Sequence, residues 1–261
     1  MIIDTHAHLM FEQFNDDFDA VLTNAKEAGV SKIVNIGCDE KSSKQAVLTT
    51  EKDLDLFAAV GMHPYEAADC TEKLMKEWEQ LIHENQKVIA VGETGLDYVK
   101  SKASKNVQQK AFRMQLQLAR MVDLPVIVHN READEDCLQI LGEFSEVKAV
   151  FHCYASDLAF ARKVWNAGHL TSFTGIITYK GNDALREVVA ACPMNMFMVE
   201  TDCPFLAPQK YRGQRNEPAY VVETLKIIAE VKGIDFEKVR ESAYVNTLNF
   251  FYRIGNLGQI F

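Results

Sequence analysis

Residues 2–9 read IIDTHAHL, an apolar opening followed by an aspartate and then histidines at positions 6 and 8. On a strand, side chains two apart point to the same side, so His6 and His8 share a face. Two readings stay open on this stretch alone: hydrogen-bonded core histidines, or the first half of a metal site. The same beat recurs along the chain. Apolar, β-branched runs fall at 1–9, 32–38, 56–64, 88–97, 125–131, 149–154, 170–178 and 196–204. Between them lie helical patterns such as FDAVLTNAKEAGV (18–30), KLMKEWEQLIHEN (73–85), QQKAFRMQLQLARMV (108–122) and LAFARKVWNAG (158–168). Gly29 and Gly168 each close a helical pattern just before the next strand, as helix C-termini favour.

Continuous apolar strands alternating with helices imply a parallel sheet covered by helices. About eight such units in a chain of this length predict a single (β/α)8 TIM-type barrel spanning 1–261. An open doubly wound sheet is the alternative. The run VRESAYVNTLNFFYRIG (239–255) reads as one extra C-terminal helix.

The composition suits a soluble globular protein: 261 residues, 48% hydrophobic and 25% charged. Neither a basic, apolar leader nor a membrane-length apolar run is evident. The six cysteines show no CxxC pair, which predicts reduced thiols and a cytoplasmic location. A net charge of −9 disfavours a protein that coats nucleic acid. It leaves room for an enzyme that grips a few phosphates.

In such barrels the active site lies at the C-terminal strand ends. His6, His8, His63, Glu93, Asp97, His129, His152, Glu200 and Asp202 all fall at those ends. His83 and His169 miss the pattern and read as structural or solvated. Imidazole and carboxylate donors suit Zn²⁺, Mn²⁺ and related ions. A carboxylate such as Glu93 has two oxygens and can bridge two ions, while Asp202 can both ligate and take a proton from water. This combination moves the reading of the histidine pair toward ligands and suggests metal-assisted hydrolysis.

The motifs DTHAHL (4–9), GMHP (61–64), GETGLDY (92–98), PVIVHNRE (125–132), HCY (152–154), ETDCPFLAP (200–208) and YRGQRNEP (211–218) resemble the TatD-type metal-dependent deoxyribonucleases of the amidohydrolase superfamily. The resemblance runs nearly end to end and implies a somewhat distorted (β/α)8 barrel. It also implies two divalent ions (Zn, Mn, Mg, Ni or Co), one on His6, His8, Glu93 and Asp202 and the other on Glu93, His129 and His152. Glu93 would bridge them where much of the superfamily uses a carboxylated lysine. His63 would approach a substrate phosphate, and Glu200 would support Asp202. The implied catalytic residues are Asp202, Glu93 and His63, and the implied reaction is exonuclease-like cleavage of DNA. One departure stands out: HCYASD, at 152–157, lacks the Ser-Gly usual after the aromatic.

Two basic loops adjoin strand ends, one with Lys100, Lys102 and Lys105, the other with Lys210, Arg212 and Arg215. Arg131, Arg212 and Asn216, with His63, are the candidate substrate contacts. Gly213 permits close backbone approach, and Tyr98, Tyr154 and Tyr211 are candidates for stacking on a splayed base. Cys153 and Cys203 adjoin proposed ligands and read as buried behind them. The expected partner is DNA as a transient substrate, with no membrane and no obligate protein partner. The competing readings are a hydrolase of a non-nucleic-acid ester, amide or lactone, and a non-catalytic metal-binding protein on an enzyme scaffold.

Overall fold

The computed structural model describes residues 1–257. Its strands are β1 (Ile2–Ala7), β2 (Val30–Ile36), β3 (Leu56–Val60), β4 (Val88–Asp97), β5 (Val126–Arg131), β6 (Ala149–Phe151), β7 (Leu170–Phe173) and β8 (Phe197–Val199). Strand order follows chain order, β1 through β8. Helices alternate with the strands, so the fold class is the (β/α)8 TIM-type barrel with an added C-terminal helix. No helix among the described residues is long and apolar enough to cross a membrane.

The chain resolves into two compact units, Met1–Asn35 with Cys153–Asn249, and Ile36–His152 with Phe250–Phe261. In the first unit, β1 pairs with β2 and β7 with β8, all parallel. The exit of β8 rejoins β1 through a parallel bridge between Ala7 and Cys203. Around these strands lie α1 (Phe18–Glu27), α6 (Leu158–Asn166), α7 (Asp183–Ala191), α8 (Val221–Lys232) and α9 (Phe236–Phe250). Asp157 caps α6 by accepting from the Phe160 amide at 2.8 Å. The left-handed Gly233, at φ 61°, ends α8.

The second unit carries β3 to β6 as successive parallel neighbours, with α2 (Glu40–Thr49), α3 (Glu72–Glu84), α4 (Lys105–Met121), α5 (Asp134–Gly142) and α10 (Tyr252–Leu257). All ten residues of β4 are buried. The strand backbones here approach so closely that side chains are excluded. A Cβ on Gly61 would sit 2.3 Å from the Gly92 carbonyl carbon, and one on Gly95 would sit 2.1 Å from the His129 oxygen. Glycine is required at both places.

Several elements differ from the sequence reading: the strands expected over 56–64, 149–154 and 196–204 end at Val60, Phe151 and Val199, and two further differences have a visible cause. The strand expected over 170–178 stops at Phe173, and residues Gly175–Thr178 form a 3-10 turn. Gly175 lies against the 206–208 backbone, its would-be Cβ 2.8 Å from the Leu206 oxygen, so the chain must leave the strand path there. The single helix expected over 239–255 is two, broken at Phe251. Phe250 and Phe251 are both buried, and neighbours on one straight helix project about 100° apart. The break lets both rings be covered.

Candidate active site

In the first unit, β1 delivers His6 and His8, and the segment after β8 is laid against them. The Asp202 amide donates to the His6 carbonyl at 2.8 Å, and the His8 amide donates to the Cys203 carbonyl at 2.9 Å. Asp202 takes a left-handed backbone, φ 59°, a conformation uncommon outside glycine that tends to persist at functional sites. Its Oδ1 lies 3.6 Å from His6 Nε2 and 3.4 Å from His8 Nε2. Two imidazoles and a carboxylate thus share one point.

A buried hydrogen-bond set holds this turn. The Asp4 carboxyl accepts from the Thr201 amide at 2.9 Å and from the Thr201 hydroxyl at 2.6 Å. Burial pushes Asp4 up to about 7, against the lowering pull of those Thr201 bonds. Glu200 accepts from the Cys153 amide at 2.6 Å and from the Thr5 hydroxyl at 3.5 Å. Sequence reasoning gave Asp4 and Thr201 no role, although both stand inside the quoted motifs.

In the second unit, β3 to β6 bring three histidines around Glu93. Its Oε1 lies 2.8 Å from His129 Nδ1, 2.8 Å from His152 Nε2 and 3.4 Å from His63 Nε2. The β4–β5 register shifts between Val91 and Thr94, and such an irregularity re-aims a side chain. Glu93 lies inside that shift. Burial alone would raise the Glu93 carboxyl, but His152, His63 and His129 together outweigh it and hold the group well below the usual range.

The hydrogen bonds at each ring indicate where its proton sits. His63 Nδ1 accepts from the Tyr65 amide at 3.1 Å, so neutral His63 carries its proton on Nε2 and offers a donor. Burial lowers its pKa to about 4, which keeps it neutral near pH 7. The ring groups geometrically with Glu93 and His129 as a possible metal triad, yet its inward nitrogen lacks the free lone pair that a ligand needs. His129 is the opposite case. Its Nε2 faces Asp97 Oδ2 at 3.2 Å and its Nδ1 faces the Glu93 oxygen at 2.8 Å, so with one proton on Nε2 the Nδ1 lone pair points at that oxygen. Two acceptors 2.8 Å apart require a cation between them, either a proton or a metal ion. Burial lowers the His129 pKa, but the Asp97 and Glu93 contacts outweigh it and the net shift is upward.

Carboxylate-backed histidines of this kind are typical of metal sites, so the donor set fits a divalent ion. Burial would likewise raise the Asp97 carboxyl, but His129 and the Lys100 and Val99 amides together hold it below the usual carboxylate range. Asp97 stood among the strand-end residues without a role, because only the folded register places it behind His129.

Two buried glutamines of α4 brace this unit. Gln115 accepts from the Met62 amide at 2.7 Å and donates to the Met62 carbonyl at 3.0 Å, fixing the backbone next to His63. Gln108 accepts from the Asp97 amide at 2.8 Å. Gln115→Leu would strand both Met62 backbone groups in the core. The expected loss is about 2–5 kcal/mol, read as a lower urea midpoint at constant slope. A wild-type midpoint would show that the Met62 groups find other partners.

The outlying candidates divide. Arg131, Arg212, Lys100, Lys102 and Lys105 are exposed; Arg212 lies 4.0 Å from the Tyr179 ring centroid and Lys105 4.0 Å from that of Tyr98. Arg215 instead forms a pair of bonds to Asp17, at 2.8 and 2.7 Å, and Lys210 lies 3.5 Å from Glu223. Asn216 corrects the sequence reading. It is fully buried, and its amide nitrogen donates to the Thr201 and Phe205 carbonyls at 2.8 and 2.7 Å. It holds the loop and presents nothing to a substrate. The three stacking candidates are also occupied: Tyr154 is buried, Tyr211 stacks on Tyr220 at 3.8 Å, and the Tyr98 hydroxyl donates to Asp136 at 2.6 Å.

No disulfide links the cysteines among the described residues. Burial raises Cys137 and Cys203 well above the usual thiol range and Cys192 to about 12, so their reactive thiolate is scarce. Iodoacetamide at pH 8 is expected to modify the half-buried Cys38 and Cys153 at least about tenfold faster than these three. Peptide mapping by mass spectrometry measures the rates, and equal rates at Cys203 would refute the burial argument. Cys153 is thus less covered than the sequence reading held, whereas Cys203 is buried as expected.

Residues 3–252 match the family described as TatD related DNase. The chain belongs to the TatD family. It is 39% identical over 253 residues to the metal-dependent hydrolase YabD of Bacillus subtilis, covering 96% of this chain and 99% of that one. It is 33% identical over 256 residues to the metal-dependent hydrolase TatD of Mycobacterium tuberculosis, covering 95% and 96%. The crystal structure of YjjV, a TatD homologue from Escherichia coli K12, superposes with a TM-score of 0.88 at 28% identity, covering 96% and 98%. This TatD-family chain is therefore a metal-dependent hydrolase on the (β/α)8 scaffold.

Proposed function

We propose that this TatD-family hydrolase cleaves phosphodiester bonds of DNA, acting on strand ends, with two divalent cations. The observation that carries the reading is the Glu93 oxygen 2.8 Å from both His129 Nδ1 and His152 Nε2, with Asp97 placed to hold a proton on the far nitrogen of His129. Following the family pattern, one ion is assigned to His6, His8, Glu93 and Asp202, and the other to Glu93, His129 and His152. Divalent ions bound there supply Lewis acidity that makes water acidic and offsets charge on phosphoryl oxygens. Asp202 accepts the proton of the attacking water. His63, neutral with its proton on Nε2, donates a hydrogen bond to a phosphoryl oxygen as charge builds. Arg131 and Arg212, both exposed, bind flanking phosphates.

The test is metal-stripped protein refilled separately with Mg²⁺, Mn²⁺ or Zn²⁺ and incubated with end-labelled single- and double-stranded DNA. Laddered product that disappears in Asp202→Ala and His129→Ala supports the reading and reveals polarity. Tight metal uptake with no DNA cleavage, but with turnover of a carboxylic ester or lactone, would replace it with the other hydrolase class.

A further inference from the structure

Phe205 is an apolar ring held outward on the same turn that carries Asp202. It is 49% exposed, while Cys203 and Ala207 on either side are buried. The exposure is built into the fold. The Phe205 amide donates to the Asp202 carbonyl at 3.0 Å and the Asn216 amide to the Pro204 carbonyl at 3.1 Å. The Asn216 side chain then donates to the Phe205 carbonyl at 2.7 Å, and Leu206 turns the chain through φ 55°. The ring stands 6.2 Å from the His8 ring and 6.3 Å from that of Phe11 at steep angles, and Phe11 itself lies flat on His8 at 4.9 Å.

Scattered exposed apolar residues are ordinary. A ring pinned beside a proposed ligand histidine, three positions after Asp202, is different. We infer that Phe205 is a specificity-determining residue, a platform that stacks on the planar base next to the bond being cleaved. Every base offers a π-face, so such a platform selects nucleotides over base-free phosphodiesters without reading sequence. It also gives Asn216 a purpose, since its buried amide sets the loop that presents the ring. The inference rests on the DNA reading and narrows its substrate to base-bearing strands.

The experiment compares a phosphorothioate-linked tetranucleotide of deoxyadenosines with the same backbone lacking all bases. Affinities are measured by calorimetry on the metal-loaded protein. Wild type is expected to favour the base-bearing strand by about tenfold or more. Phe205→Leu, which keeps an apolar side chain of similar bulk, should bring that ratio close to one with an unchanged melting temperature, and Phe205→Trp should preserve it. A ratio near one in the wild type, or one that survives Phe205→Leu, overturns the inference and leaves the nuclease reading standing. Failure of the wild type to bind or cleave either strand overturns both.

Discussion

Asp202→Asn is expected to lower metal-dependent turnover by about 10²–10⁴-fold while leaving the fold unchanged. The substitution is chosen for its backbone. Asp202 sits at φ 59°, and asparagine is among the few residues that tolerate this region, so the turn bonded to His6 and His8 is retained. The side chain keeps its shape and its oxygen but loses the negative charge and the capacity to take a proton. Both losses fall where His6 and His8 nitrogens lie 3.6 and 3.4 Å away, so weaker metal retention should accompany slower turnover. Initial rates on a phosphodiester, together with metal content by mass spectrometry and a thermal melt, separate these effects. A rate within threefold of wild type would remove Asp202 from the proton path.

Asp97→Asn should weaken metal binding in the second unit by about 10–100-fold, the usual effect of altering a carboxylate behind a ligand histidine. One Asp97 oxygen accepts from the Val99 and Lys100 amides at 2.9 and 2.7 Å, and the asparagine oxygen can keep those bonds. The other faces His129 Nε2 at 3.2 Å, and there asparagine places an N–H. The proton of His129 is then driven to Nδ1, into the 2.8 Å gap beside Glu93. That closes the lone pair that a cation would use. Competition with a chromophoric chelator gives the affinity, and the ¹⁵N shifts of His129 report the tautomer directly. Unchanged affinity with a shifted tautomer would show that His129 is not a ligand; an unchanged tautomer would show that Asp97 does not set it.

Much of this could be read from the chain because the signals are local. The alternation of apolar runs with amphipathic segments depends on burial of one strand or helix at a time. That pattern led to the (β/α)8 class. Strand-end placement likewise singled out the residues that converge in each unit: His6, His8 and Asp202 in one, His63, Glu93, His129 and His152 in the other. Errors arose where a residue's fate depends on what packs against it. The 170–178 run is apolar and β-branched enough for one strand, but close approach to the 206–208 backbone stops it at Phe173. Asn216 has the chemistry of a substrate contact and instead spends its amide on loop carbonyls.

By itself, then, the sequence determined the barrel class and the types of donor atom gathered at its strand ends, because periodicity and residue chemistry are carried in adjacent positions. Tertiary structure alone decided which nitrogen of His63 holds the proton, that His129 stands between Glu93 and Asp97, that Gln115 braces the backbone beside His63, and that Phe205 faces solvent while Tyr154 does not. Those outcomes depend on contacts of a few ångströms between distant parts of the chain, for which no single stretch holds a record.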